Sequence, residues 1–310
     1  MEYTFQEGLP AGFKSEIDSG IFHRPQHLQL QTHEGWHTYV LLNTVQKSIQ
    51  GLVHFNLKEA EARSPYKSPY GSFIFANHLS AKIITEFVHF TEQKLKIAGA
   101  NTIMIKNHPE VYAPEKHNML LEVLLQSGYG IGQEEVSAVI PVTEKSFKSI
   151  LHRSEKKKLR KSHESDLVFQ QLPLQNLSEV YAFLKTCREE KGYTLSMTLG
   201  ELDAVTKAFP DYFFLNVVKE YDQIIAANIS IQVNSTVLYN FYHDHTSSHD
   251  VLSPVVFLNE GLYQFCQRHQ LYLLDLGTSN ANGVVNESLL NFKLRLGAQP
   301  SRKLTFVKKL

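Results

Sequence analysis

The sequence predicts an α/β protein with mixed sheets, built from two units of similar element order. Predicted strands and helices alternate from residue 36 to near the end of the 310-residue chain, which is typical of α/β folds. The second half repeats the order of the first: a strand pair, a strand, a long helix, a strand, a short helix and a final strand. Polar residues gather directly after several predicted strands, where open α/β sheets place their ligands.

Composition and charge are those of a globular protein. Hydrophobic residues make up 43% of the chain and charged residues 20%, which is enough apolar material for two cores. The 31 basic and 31 acidic residues cancel, so the overall charge predicts neither a DNA nor a membrane partner. Two cysteines, Cys187 and Cys266, are too few for a disulfide framework, and no ligand spacing predicts a metal site. The sequence shows neither the pattern of a signal peptide at its N-terminus nor an apolar run long enough to span a membrane, so we expect a cytoplasmic protein.

Alternating and helical apolar patterns define the first predicted domain, residues 1–144. Predicted strands lie at 36–43, 49–57, 72–76, 102–105 and 136–142. Predicted helices lie at 80–98 and 116–126, and Gly99 and Gly128 are expected to end them. The loop before the third strand reads SPYKSPYG, which places Tyr66 and Tyr70 at its start and end.

The second predicted domain, residues 145–310, begins with a basic helix at 146–163. A strand at 167–171 and helices at 177–190 and 198–209 follow. Strands at 212–219 and 224–233 form a pair with a turn at Tyr221-Asp222. The remaining predicted elements are a strand at 237–244, a helix at 254–269, a strand at 272–276, a helix at 288–296 and a strand at 304–307. Polar residues follow each strand of this last stretch, so we place the active half here.

Four stretches of the chain carry a family resemblance. They are SPYKSPYGSF, EKKKLRKS, LYNFYHDHTSSHDVLSP and LDLGTSNANGVVNESLLNFKLRLG. With the element order, they resemble the FemAB-like branch of the GNAT acyltransferase superfamily, in which two GNAT-like acyl-CoA N-acyltransferase domains occur in tandem. The resemblance implies acyl or aminoacyl transfer to an amine on a small molecule or peptide.

The resemblance also bears on the acyl donor. It implies no permanently bound cofactor, with acyl-CoA or aminoacyl-tRNA as the co-substrate. GNAT proteins usually bind the pyrophosphate of coenzyme A with a glycine-rich loop at a helix N-terminus. The corresponding loop here, residues 245–253, contains no glycine. This departure leaves room for aminoacyl-tRNA or an acyl carrier as the donor.

The end of the strand at 237–244 supplies candidate catalytic residues. Amide formation needs a base for the amine, a group that stabilises the oxyanion, and positioning. We expect Asp244 or His245 to be the base or proton shuttle, with Tyr242 beside them. Strict alternation would place Tyr239 with His243 on one face of the strand and Tyr242 with Asp244 on the other. A strand-end Asp–His pair that only caps a loop is the open alternative.

Lys293 is the fourth candidate catalytic residue, and the resemblance implies a role for it. It lies in the mostly apolar segment LLNFKLRLG, where a lysine either extends to solvent or turns inward toward a carboxylate, phosphate or oxyanion. Candidate donor-binding residues are Ser253, Ser279, Asn280 and Asn282. Candidate substrate-binding residues are Tyr70, Tyr239 and Asp275. Ser253 could equally be a plain helix cap, Asn282 a plain turn residue and Tyr70 part of a rigid turn.

The basic helix allows two interpretations. Arg153, Lys157 and Lys161 are four residues apart and share a helix face, which could bind the phosphates of a donor or remain a solvated surface. The acyltransferase hypothesis therefore has two alternatives. One is a non-catalytic ligand-binding protein on a degenerate GNAT scaffold, and the other is an RNA-binding module.

Overall fold

The computed structural model describes residues 2–281 and 283–310. It divides into two compact units: residues 1–135 with 301–310 form unit 1, and residues 136–300 form unit 2. The predicted domains, 1–144 and 145–310, differ from these units because the last strand of the chain returns to unit 1. Within the described ranges, none of the helices combines the length and apolarity that a bilayer crossing requires.

Unit 1 is a mixed sheet covered by helices. Its strands are β1 (Tyr3–Glu7), β2 (Lys14–Ser15), β3 (Trp36–Asn43), β4 (Ser48–Lys58), β5 (Glu61–Ser64), β6 (Ile74–Phe75) and β7 (Thr102–Lys106), completed by the C-terminal strand β16 (Gln299–Lys309). Its helices are α1 (Pro25–Gln31), α2 (Ala81–Ile97) and α3 (Pro114–Gln126). The strand order is β1-β3-β4-β5-β7-β16, with β2 and β6 also paired to β4. The strand β8 (Gly130–Pro141) carries the chain on to unit 2.

The core of unit 1 forms because α2 presents one apolar face to the sheet. Ile84, Phe87 and Leu95 lie on that face and are fully buried against strand residues such as Phe55. The helix ends before Gly99, whose φ of 100° is a left-handed conformation that glycine adopts without strain. The predicted glycine stop is therefore confirmed.

Unit 2 is a sheet with helices on both faces. Its strands are β9 (Leu167–Leu172), β10 (Phe213–Glu220), β11 (Gln223–Gln232), β12 (Val237–His245), β13 (Leu273–Thr278), β14 (Asn280–Ala281) and β15 (Val284–Val285). Its helices are α4 (Phe147–Ile150), α5 (Arg153–His163), α6 (Leu177–Glu190), α7 (Leu199–Ala208), α8 (Pro254–Arg268) and α9 (Glu287–Arg295). The strand order is β13-β12-β11-β10-β9, in which only the β12–β13 pair is parallel.

The predicted helix at 146–163 is wrong in one respect, because two helices occupy this segment. Leu151 and His152 adopt extended backbone conformations that separate α4 from α5. The side chain of Leu151 is buried in the core of unit 2, and His152 accepts a hydrogen bond from the main-chain N–H of Ser154 as the N-cap of α5. Core burial and capping thus interrupt a run with strong helix propensity.

Candidate active site

The candidate site lies where two parallel strands separate. β12 and β13 pair at three positions, from Val237 opposite Leu273 to Tyr239 opposite Asp275. β12 then continues to His245 along β11, and β13 continues to Thr278. Neighbouring strands normally satisfy each other's main-chain hydrogen bonds. The separation therefore leaves main-chain groups at this point for a side chain or a ligand to bind.

Lys293 of α9 occupies this separation. Its Nζ donates hydrogen bonds to the carbonyl oxygens of Gly277 and Thr278, each at 2.9 Å, and the residue is only 3% exposed. Burial lowers the pKa of Lys293 to about 8, with Asp275 opposing and Arg188 adding to that shift. An ammonium has three N–H donors, and two of them are used here. The inward orientation of Lys293 thus leaves one donor for a ligand oxygen.

Two predicted substrate-binding residues lie beside this lysine. Asp275 is 2% exposed, and its carboxylate accepts a hydrogen bond of 2.7 Å from the N–H of Gly277. Gly277 has a φ of 77°, and a Cβ there would lie 3.5 Å from the ring of Tyr239. Tyr239, Asp275 and Lys293 are therefore gathered around the turn at Gly277.

A β-bulge changes which side chains share a face of β12. Asn240 pairs with Ser230 and Tyr242 pairs with Ile229, so the intervening Phe241 is an extra residue. The predicted alternation is wrong beyond this point. Tyr242 now lies on the same face as Tyr239, because their cross-strand partners occupy alternate positions of one face of β11.

Asp244 is held by two basic side chains. Arg188 Nε lies 3.2 Å from one carboxylate oxygen, and Lys191 Nζ contacts the other. The main-chain N–H of His245 also donates to Asp244, at 2.8 Å. A substrate amine would have to displace one of these groups to reach the carboxylate. The geometry therefore fits an anchoring role for Asp244 better than the predicted base role.

The predicted partners of Asp244 are also engaged elsewhere. The Nε2 atom of His245 lies 2.7 Å from a carboxylate oxygen of Asp250, while its Nδ1 is 3.8 Å from Asp244. The hydroxyl of Tyr242 lies 2.6 Å from the Ser196 hydroxyl and accepts a hydrogen bond of 2.9 Å from the N–H of Met197. Burial is the main cause that raises the pKa of Tyr242. The two contacts of the Tyr242 hydroxyl fix the loop before α7 to β12.

Two further residues, His243 and Arg188, belong to this neighbourhood. The sequence placed His243 among the candidates of this strand without giving it a role, and it did not select Arg188. Burial, with the nearby charges of Lys293 and Arg188, lowers the pKa of His243 to about 3. Its Nδ1 atom is buried and has no hydrogen-bond partner among the described residues. Arg188 donates a hydrogen bond of 3.3 Å to the carbonyl of His243. No sequence signal identifies Arg188, because it is an ordinary charged residue of α6.

The predicted donor-binding residues have different environments. Ser253 precedes α8 with a left-handed backbone (φ 52°, ψ 50°), and its side chain makes no capping hydrogen bond. Ser279 is fully buried, and its main-chain N–H donates to Val136 O at 2.8 Å. The side-chain oxygen of Asn280 accepts from the N–H of Val136 at 2.9 Å. Ser279 and Asn280 thus hold the segment after β13 in place, while Asn282 lies outside the described residues.

The remaining predicted residue, Tyr70, belongs to unit 1. It is 7% exposed and packs edge-on against Phe22, His108 and Tyr112, with ring centroids 5.0, 5.8 and 5.9 Å away. The following residue, Gly71, has no space for a Cβ, which would lie 2.7 Å from Pro65 N. The rigid-turn interpretation therefore explains the Pro-Tyr-Gly segment, and an acceptor role for Tyr70 stays a prediction.

Among the residues that the structure describes, no group of three or more His, Cys, Asp or Glu side chains could hold a metal ion. The side chains of the site supply an ammonium, a neutral imidazole, a phenol and carboxylates. This set can bind an oxyanion and orient an amine.

Comparison with known proteins identifies the fold. No protein-family model and no curated protein sequence matches the chain. Among solved structures, FemX superposes with a TM-score of 0.72 at 13% identity, covering 94% of this chain and 93% of FemX. The C-terminal domain of a putative lysylphosphatidylglycerol synthetase from Agrobacterium fabrum superposes with a TM-score of 0.59 at 11% identity, covering 88% and 84%. L-PGS from Bacillus licheniformis superposes with a TM-score of 0.54 at 12% identity, covering 84% of this chain and 81% of L-PGS. The predicted α/β fold is confirmed, and it is the fold of FemX.

Proposed function

We propose that this protein transfers an acyl or aminoacyl group from an activated donor to an amine. The observation that carries the proposal is Lys293, a buried ammonium where β12 and β13 separate, with one N–H that donates to none of the described residues. Burying a charged lysine costs free energy and adds nothing to packing that an apolar side chain would lack. A chemical role accounts for its presence. The FemAB-like fold, in which acyl transfer is the activity that the resemblance implies, supports the same conclusion.

The reaction assigns a role to this ammonium. The acceptor amine attacks the donor carbonyl, a C–N bond forms, and the carbonyl oxygen becomes an oxyanion. The third N–H of Lys293 donates to that oxygen in a site of low dielectric, where such a hydrogen bond is strong. The bond to the leaving oxygen or sulfur then breaks, and the proton lost by the amine ends on the leaving group. With a pKa of about 8, Lys293 is mostly protonated at neutral pH, as this role requires.

Arg188, Asp244 and Tyr239 have supporting roles in this proposal. Arg188 links Asp244 to the main chain of His243, so that the pair fixes the end of β12 beside Lys293. Tyr239 lies at the turn that carries the Gly277 carbonyl bound by Lys293. We assign Asp244 a positioning role, because its carboxylate is occupied by Arg188 and Lys191.

The donor is acyl-CoA or an aminoacyl-tRNA, and the acceptor is an amine on a small molecule or peptide. The putative synthetase from Agrobacterium fabrum, whose name describes an aminoacylated lipid, supports an aminoacyl donor by analogy of fold. A thermal-shift screen against coenzyme A, acetyl-CoA, longer acyl-CoAs and aminoacylated bulk tRNA would identify the donor. A ligand that binds only the folded state at a hundred times its Kd stabilises the protein by roughly 2.7 kcal/mol.

Transfer itself is tested with the donor so identified and a panel of amines, followed by mass spectrometry of the products. Lys293→Met should keep the thermal shift and lose transfer by roughly 100-fold or more, as removal of an oxyanion donor does elsewhere. Lys293→Met with undiminished transfer, or a folded wild-type protein that transfers from none of these donors, would count against the proposal.

A further inference from the structure

The helix α9, which carries Lys293, is docked on unit 2 with little apolar burial of its own. Among Glu287–Arg295, all of which the structure describes, Lys293 is the one buried residue. Leu290 and Phe292 are partly buried against the core, and Leu296 reaches it directly after the helix. A surface helix normally docks through an apolar stripe, and burying a lysine opposes docking. The position of α9 therefore depends on polar contacts as well.

The C-terminal end of α9 is held by the end of α4 and the start of α5. Arg295 Nε donates a hydrogen bond of 3.1 Å to Glu155, and the main-chain N–H of His152 donates to Arg295 O at 2.9 Å. The chain segments also approach closely, because a Cβ at Gly297 would lie 3.0 Å from the side chain of Ile150 and 3.1 Å from its carbonyl oxygen. The helix that carries Lys293 is therefore fixed to the basic segment at the start of unit 2.

Glu155 makes this contact as a carboxylate. Its side chain is 1% exposed, against 40% for Arg295. Burial alone would raise the pKa of Glu155, but hydrogen bonds from Lys158, Arg295 and Ser154 outweigh burial and lower that pKa. Breaking a buried ion pair leaves an uncompensated charge, which costs far more than losing an exposed pair. Glu155 and Arg295 therefore form a strong link between α5 and α9.

This link lies on the side of α9 opposite Lys293. Successive residues of an α-helix are rotated by about 100°, so positions 293 and 295 point about 200° apart. Lys293 Nζ reaches the carbonyl oxygens of Gly277 and Thr278 at 2.9 Å each. Hydrogen bonds of this kind span about 2.7–3.2 Å, so a movement of α9 away from the strands by about 1 Å would break them. The contact with Glu155 thus bears directly on the reach of Lys293.

We propose that Glu155 is a positioning residue for Lys293. Through Arg295 it holds α9 where the ammonium lies between β12 and β13. The inference rests on the proposed function, in which this ammonium binds the oxyanion. Glu155 is the single carboxylate of the stretch EKKKLRKS, so that stretch gains a role in the site that is separate from its positive charge.

The pKa of Lys293 reports its position without any substrate. It is about 8 in the folded protein against an ordinary 10.5. The unfolding constant of the wild type should therefore fall about tenfold relative to that of Lys293→Met between pH 7 and pH 9, and we call this fall the pH factor. The same factor is measured between Glu155→Gln and the double variant Glu155→Gln, Lys293→Met, by urea unfolding followed by far-UV circular dichroism. We expect it to drop below about twofold, because a released lysine regains its ordinary pKa.

The direction of the change separates positioning from charge and from plain stability. Loss of the carboxylate's charge alone would leave more positive charge near Lys293, lower its pKa and raise the pH factor above tenfold. A Glu155 that only stabilises the fold would, when replaced, lower the stability equally at pH 7 and pH 9 and leave the pH factor at tenfold. Either result would overturn the inference.

Arg295→Met removes the same link from its more exposed end and covers the case in which Glu155→Gln fails to fold. It should also reduce the pH factor to less than about twofold, and a factor that stays at tenfold would count against the role of Glu155. The matched control is Arg302→Met in unit 1. Arg302 Nε lies 2.9 Å from Glu134, and its side chain is 47% exposed, close to the value for Arg295. This variant should keep the tenfold factor.

Transfer assays separate this inference from the proposed function. With an active donor, Glu155→Gln should lower kcat roughly tenfold or more and leave the KM for the donor unchanged, because the site still binds the donor but misplaces the ammonium. A pH factor that is lost in Glu155→Gln, with a wild type that transfers from no donor, would contradict the proposed function and leave the positioning of Lys293 supported. An active wild type whose pH factor survives Glu155→Gln would do the reverse.

Discussion

Replacing Lys293 by methionine tests whether the lysine is held at an energetic cost. Its pKa of about 8, against an ordinary 10.5, corresponds to about 3 kcal/mol for keeping the buried side chain protonated at pH 7. Methionine retains the length and apolar body but gives up hydrogen bonds to two carbonyls, at about 1 kcal/mol each. We therefore expect Lys293→Met to be as stable as the wild type at pH 7, or more stable by about 1 kcal/mol.

The pH dependence of this difference is the sharper result. The folded pKa lies below the unfolded one, so the unfolded chain holds more protons between the two values and stability rises with pH. Between pH 7 and pH 9 the wild type should gain about 1 kcal/mol relative to Lys293→Met.

Urea unfolding followed by far-UV circular dichroism at pH 7, 8 and 9 measures this difference. The signal is taken from the whole chain, because Trp36, the only tryptophan, lies in unit 1. Lys207→Met serves as the control, since Lys207 is 75% exposed and its removal should add no such slope. A wild-type-to-Lys293→Met difference that stays constant across this range would refute the reasoning.

Three further perturbations have distinct expected outcomes. Burial lowers the pKa of His54 to about 4, below its value of 6.5 in the unfolded chain. Acidification from pH 7 to pH 5 should therefore lower the free energy of unfolding by about 2 kcal/mol through this residue. In urea unfolding at several pH values, His54→Asn should lack this part of the loss. Asp244→Asn weakens the contacts with two cations and should destabilise by up to about 3 kcal/mol, so a loss of transfer would accompany a lower Tm, unlike in Lys293→Met. Gly261→Ala should destabilise the protein by about 1–3 kcal/mol despite the better helix propensity of alanine, because a Cβ would lie 2.2 Å from the Phe169 ring. In a Phe169→Ala background, where that ring is absent, the same change should stabilise the protein by about 1 kcal/mol in urea unfolding.

The predicted elements of unit 2 near the site largely agree with the structure, but the arrangement of side chains does not follow from them. A continuous apolar and aromatic run located β12 within one residue of its observed end. The bulge at Phe241 left no trace in that pattern, because Phe, Tyr and His fit either face of a half-buried strand. The division of the basic helix at Leu151 and His152 was equally hidden, since its cause is burial against residues distant in sequence.

The candidate site shows the same limit. Sequence and resemblance selected Lys293, Tyr239 and Asp275, which the structure gathers around Gly277. They also selected Asp244, but its two cation partners, Lys191 and Arg188, are 53 and 56 residues away along the chain, at the C-terminal end of α6. Local sequence carries no information about such long-range ion pairs, and Arg188 was missed for this reason.

The sequence by itself determined the α/β class, the approximate positions of most strands and helices after residue 36, and the concentration of charge in residues 145–163, because periodicity and composition are local properties. Only the tertiary structure decided that Lys293 points inward. A lysine on an apolar helix can extend to solvent or bind inside, and the choice depends on whether the packed chain offers acceptors. Here the separation of β12 and β13 frees two carbonyl oxygens for it, and that separation exists only once both strands have taken their places in the sheet.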